Sequence, residues 1–119
     1  MEFKGTPGPW TITDSGGSIM DSDQFIIATC SRLAVLCRWY EKGFEHFSDE
    51  GASKDIGTIA VKANANLIAA APRMLDALIK IVEMNQQYAI DKYGDVKKAE
   101  EMSCVLTARQ AINKALGRE

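Results

Sequence analysis

Four side chains in this sequence have the type and spacing to hold a small anionic or planar ligand: Asn64, Arg73, Arg109 and Phe44. Arg109 is the oddest. The last helical stretch carries an apolar stripe at Ala99, Met102, Val105/Leu106, Ile112 and Leu116. Arg109 falls within it, four residues after Val105, three before Ile112 and seven from both Met102 and Leu116. A permanently charged guanidinium rarely sits in such a seam without a partner. It either snorkels to solvent or pairs with Asp76 or Glu83 of the preceding helix, or it presents a planar fork to a phosphate or carboxylate at an interface. Arg73 follows a proline and is a second cation of the same kind. Asn64 and Asn66 sit mid-helix, where asparagine is a mediocre helix former, and Asn64 can offer donor and acceptor to a base or ribose. Phe44, with Tyr40 and Phe47, belongs to a polar stretch over residues 40–55. That stretch is either a mobile insertion or a lid whose aromatic faces stack on a planar ligand.

No catalytic signature competes with these residues. G-x-S-x-G, the P-loop, H-E-x-x-H, H-x-E and G-x-G-x-x-G are all absent. His46 is the one histidine, and no nucleophile or carboxylate pair stands out beside it. The expected class is therefore a non-enzyme with no cofactor and no metal. Cys30, Cys37 and Cys104 lack C-x-x-C spacing and read as reduced thiols, buried as small hydrophobes in a cytosolic protein.

The elements that must position these groups follow from the hydrophobic pattern. At 119 residues, with 46% hydrophobic and 25% charged residues, the chain has the makings of a single small globular domain. Its net charge of −2 argues against coating DNA or RNA. The charge is uneven, with 4 Lys/Arg against 8 Asp/Glu in residues 1–50 and 10 against 8 in residues 51–119, so an anion should look to the second part. No signal-peptide core and no membrane-spanning apolar run is evident.

Within residues 1–40, Trp10-Thr11-Ile12-Thr13 alternates as a strand should and Ser18-Ile19-Met20 is a short strand. Residues 25–30 and 33–39 are β-branched or aromatic runs of strand length, and turns fall at Asp14-Ser15-Gly16-Gly17 and Asp21-Ser22-Asp23. The connections are too short for crossover helices, which predicts a small antiparallel β meander. From about Gly57 the period becomes 3.6. A helix is expected to about Ala71, where Pro72 forbids simple continuation but suits the first turn of the next helix. Met74, Leu75, Leu78, Ile81 and Val82 mark that helix's apolar face. Tyr93-Gly94-Asp95 is a break with Asp95 as cap, and a last helix runs to about Leu116 before Gly117. The fold class is α+β: a small N-terminal antiparallel sheet, a 41–56 loop, and two long antiparallel C-terminal helices within 57–117.

Gly8-Pro9-Trp10-Thr11, the stretch Ala63-Asn64-Ala65-Asn66-Leu67-Ile68-Ala69-Ala70-Ala71-Pro72-Arg73-Met74-Leu75-Asp76-Ala77-Leu78, and Ala108–Gly117 resemble a widespread family of small phage and prophage proteins. The layout is also similar to the first described type of the Thoeris anti-defence family. That resemblance implies a phage protein of the bacterial host cytoplasm that sequesters cyclic nucleotide immune signals without cleaving them. The signals would be cyclic ADP-ribose isomers or cyclic oligonucleotides, bound at the interface of a dimer or hexamer. It carries Asn64 and Arg109 over as ligand-binding residues. The competing expectation is a protein–protein module that inhibits a host defence enzyme.

Overall fold

The computed structural model describes residues 2–118 and divides into two compact units, residues 10–69 and residues 2–9 with 70–118. The architecture is α+β, with short antiparallel strands preceding long helices.

In the unit of residues 10–69, β1 (Thr11–Ile12), β2 (Ser18–Met20) and β3 (Ile26–Thr29) form a three-stranded antiparallel sheet in the order β1-β2-β3. Gly16 supplies the left-handed residue of the first turn at φ +79°, and Thr13 and Ser18 close it through a 2.9 Å backbone hydrogen bond. The Asp21 carboxylate accepts the backbone N–H groups of Asp23 and Phe25, each at 2.9 Å, and so builds the second turn. Helix α1 (Gly57–Ala69) packs on β1 and β2, burying Ala65 and Ile19 completely.

The meander stops at three strands. β4 (Leu33–Val35) pairs with β5 (Ser53–Asp55) in a separate antiparallel ribbon, Ala34 opposite Lys54. Its pairing partner comes from inside the stretch that reads as a loop by composition. Ser53-Lys54-Asp55 is too polar to signal a strand, and the backbone ladder rather than side-chain pattern makes it one. The remainder of 40–55 is also organised. Trp39–Lys42 is a 3-10 turn, and Asp49 Oδ2 accepts the backbone N–H groups of Glu45 and His46 at 2.9 Å.

The second unit is a helical hairpin. α2 (Ala71–Tyr93) begins with Pro72 in its first turn, where the missing N–H is harmless, and ends at Gly94 in the left-handed region. Asp95 accepts the N–H of Lys97 and caps a 3-10 turn, Val96–Glu101. α3 (Ser103–Ala115) then returns along α2. The last helical segment is thus split, with Met102 in extended conformation between its two parts. Val82, Ala89, Ala99, Val105, Ala108 and Ile112 form the core, flanked by Leu75, Leu78, Ile79, Met102 and Leu116. The expected stripe holds apart from Leu106, which is 50% exposed. The thiols depart from expectation: Cys37 and Cys104 are exposed and Cys30 half-buried, all three free. No helix among the described residues is long and apolar enough to cross a membrane.

Candidate functional site

Two segments far apart in sequence face one another in the helical unit. Phe3, Pro7, Gly8 and Pro9 form one wall of a cleft of about 590 Å³, and Pro72, Arg73, Leu75 and Asp76 form the other. The Gly8–Pro9 bond is cis. The walls are mostly apolar, as ligand clefts of a few hundred Å³ commonly are. Their charged groups are Arg73 and Asp76, three residues apart on the first turns of α2 and so on neighbouring faces. Both are exposed, and neither side chain makes a hydrogen bond or ion pair among the described residues. An unpaired guanidinium lining a mostly apolar cleft can donate to a phosphate or carboxylate, while the Asp76 carboxylate can accept a hydrogen bond from a hydroxyl or amine.

Arg109 is differently placed. It is half-buried in the helical hairpin, and Glu100 of the 3-10 turn takes its fork: Nε lies 3.0 Å from Oε1 and 2.7 Å from Oε2 of the carboxylate, and Nη2 also donates to Oε1. Its partner is therefore neither Asp76 nor Glu83. Glu100 escapes a helical reading because the 3-10 geometry of residues 96–101, followed by the extended Met102, sets the direction from which it approaches Arg109. The guanidinium does not line the Arg73 cleft.

Asn64 and Phe44 belong to the other unit. Asn64 is exposed on α1, and its side chain makes no hydrogen bond among the described residues. Phe44 is half-buried with its ring edge over Gly51, 3.4 Å from where a β-carbon would stand. The ring thus supports the loop from beneath. A cavity of about 300 Å³ in this unit, between residues 34–36 and 51–54, includes neither of them. The exposed aromatics of the loop are Tyr40 and Phe47, at 63% and 42%. Phe47 lies 4.3 Å from His46, and Trp39 makes an edge contact with Tyr40 at 5.7 Å.

Electrostatically the clearest feature of the strand unit is Asp55. The Arg32 side chain donates to it at 2.7 Å, the Gly57 N–H donates at 2.8 Å, and the guanidinium charge adds to both, holding the carboxyl below its ordinary range. The pair ties the β4–β5 ribbon to the start of α1. Among the described residues no three His, Cys, Asp or Glu side chains are grouped to hold a metal ion.

Phe3 joins the site without having been singled out in the sequence, and Asp76, expected there only as a counter-charge for Arg109, lines the cleft instead. The available signal was the pair of proline-bearing motifs, Gly8-Pro9-Trp10-Thr11 and Ala71-Pro72-Arg73, since part of each lines the same cleft.

The chain is thus a small α+β protein whose helical hairpin carries an open cleft bearing the cation Arg73. It belongs to the family described as Salmonella phage P22 protein Y8K6, whose model matches residues 1–119. It is thus a member of a small phage protein family. No curated protein and no solved structure matches it.

Proposed function

We propose that this phage-family protein is a non-enzymatic binding protein of the host cytoplasm that sequesters a small anionic nucleotide of the cyclic immune-signal class. The observation that carries the reading is Arg73, an unpaired guanidinium on a cleft of about 590 Å³ otherwise walled by Phe3, prolines and Leu75. A phosphate docks on Arg73, a ribose hydroxyl or exocyclic amine donates to Asp76, and the heterocycle lies against Phe3 and the proline faces. Arg109 is set aside as a direct ligand because Glu100 already neutralises it. Sequestration needs affinity and copy number and no reactive group.

The test is depletion. Protein is incubated with cyclic ADP-ribose isomers and cyclic di- and trinucleotides, filtered, then heat-denatured, and released nucleotides are weighed by mass spectrometry. Wild type should deplete one class and release it intact, and Arg73→Ala should weaken that binding by roughly tenfold or more. An unreduced affinity in Arg73→Ala removes the cleft from the reading, and no depletion at all removes the nucleotide.

The second reading, a module that binds and inhibits a host defence enzyme, draws on the strand unit. Tyr40 and Phe47 are exposed on a loop that Asp49 holds through two backbone hydrogen bonds. Rigid exposed aromatics are the usual anchors of a protein interface. Stoichiometric capture of a host enzyme by wild type but not by a Tyr40→Ala, Phe47→Ala double variant would favour it.

A further inference from the structure

A second cleft of the helical unit, about 550 Å³ in volume, draws on the same N-terminal segment as the Arg73 cleft. Phe3, Lys4 and Gly5 line it together with Leu116 and Arg118 beyond the end of α3. Phe3 lines both clefts, so the two adjoin at its ring. That ring folds back over Gly5. A β-carbon there would stand 2.9 Å from Cε1 and 3.0 Å from Cε2, and nearer still to Cζ, closer than side chains pack. Glycine at this position lets the ring lie against its own segment with 42% of the residue exposed.

The end of α3 fixes Arg118. Gly117 turns through the left-handed region at φ +72°. Its N–H donates to the Lys114 carbonyl at 3.1 Å, and the Arg118 N–H donates to the Asn113 carbonyl at 2.7 Å. These are the two bonds of a Schellman stop, and they satisfy carbonyls that would otherwise repel an anion. Lys4 comes to the same cleft from the other end of the chain. Neither cation's side chain makes a hydrogen bond or ion pair among the described residues. Glu2 is the carboxylate of this lining, so two cations face one acid, whereas the other cleft sets Arg73 against Asp76 one to one. A guanidinium fork beside an ammonium is a donor set suited to a phosphate dianion.

We infer that Lys4 and Arg118 form a second phosphate subsite, across the Phe3 ring from Arg73. The unit takes a nucleotide whose two phosphates flank one nucleoside, with the base against Phe3, in preference to one phosphate or two adjacent ones. The base and the first phosphate rest on the nucleotide reading above; the second phosphate rests on the new cleft.

Calorimetry with three linear probes tests the arrangement: adenosine 3′,5′-bisphosphate, adenosine 5′-monophosphate and adenosine 5′-diphosphate. Wild type should bind the 3′,5′-bisphosphate about tenfold tighter than either of the others. A Lys4→Ala, Arg118→Ala double variant should lose that preference and keep its affinity for the monophosphate. A wild type without the preference, or a double variant that retains it, overturns the second subsite and leaves the Arg73 cleft standing. Should no probe bind, inorganic phosphate followed by heteronuclear NMR decides the subsite apart from the nucleotide reading. Saturable shifts of the backbone N–H signals of Lys4 and Arg118, lost in the double variant, would uphold it, and their absence would overturn it.

Discussion

Glu100 grips Arg109 from nine residues away in the chain, accepting from both Nε and Nη2 of the guanidinium. A charge placed in an apolar seam is thereby neutralised within its own hairpin. The side chains remain 31% and 44% exposed, so solvent screens much of their attraction.

That geometry sets the first expectation. Arg109→Met should be close to neutral for stability, because the thioether fills the seam and leaves Glu100 able to reach water. Glu100→Ala should cost about 0.5–1 kcal/mol, since it strands the guanidinium beside Val105 and Ile112. Urea denaturation of the three proteins orders them, and an Arg109→Met variant far less stable than Glu100→Ala would contradict the account.

Asp55 predicts a pH response. Its folded carboxyl titrates below the ordinary value because Arg32 and the Gly57 N–H bond to the ionised form. A depressed folded pKa contributes stability that is present above the unfolded pKa, about 3.9, and lost as pH falls through the folded value. Asp55→Asn should therefore be less stable than wild type near neutrality. The difference should shrink once the pH drops below about 4. Thermal melts across that range test the sign, and a constant difference would show that the ion pair is not its source.

The α2 terminus offers a backbone test. Gly94 has φ of +66°, and a β-carbon added there would meet no atom within 4 Å. Gly94→Ala should cost about 1 kcal/mol from the left-handed backbone alone. Asp95→Ala should cost a similar amount by removing the bond to the Lys97 N–H. Both should leave nucleotide depletion unchanged.

Phe44 separates a ligand contact from a loop support. With its ring against Gly51, Phe44→Ala should destabilise the strand unit by about 1–2 kcal/mol, less than truncating a fully buried ring. Hydrogen exchange should quicken at the backbone N–H of Ala52, which bonds Asp49 at 2.9 Å. Ligand affinity should not move, and a selective affinity loss with normal exchange would return Phe44 to a binding role.

Much of the helical unit was legible because its cues are local. Pro72 opens α2, Gly94 and Asp95 turn the chain, and the 3.6-residue stripe marks Val82, Val105 and Ile112 for burial. The β4–β5 ribbon was not, because Ser53-Lys54-Asp55 has no strand pattern and is defined by its partner across the ladder. Among site residues, Arg109 was rightly singled out as needing a counter-charge. The identity of that counter-charge depended on the 3-10 path of residues 96–101, which no periodicity encodes. Arg73 drew attention by following a proline, but its neighbour Phe3 comes from a segment whose place in the fold is tertiary.

The cleft's two walls are far apart in the sequence, residues 3–9 and 72–76, yet lie within one compact unit. Anything fused ahead of Phe3 emerges beside the cleft. Leu116 and Arg118 line a neighbouring cleft with residues 2–5, so a handle at either end of the chain would start close to whatever enters it.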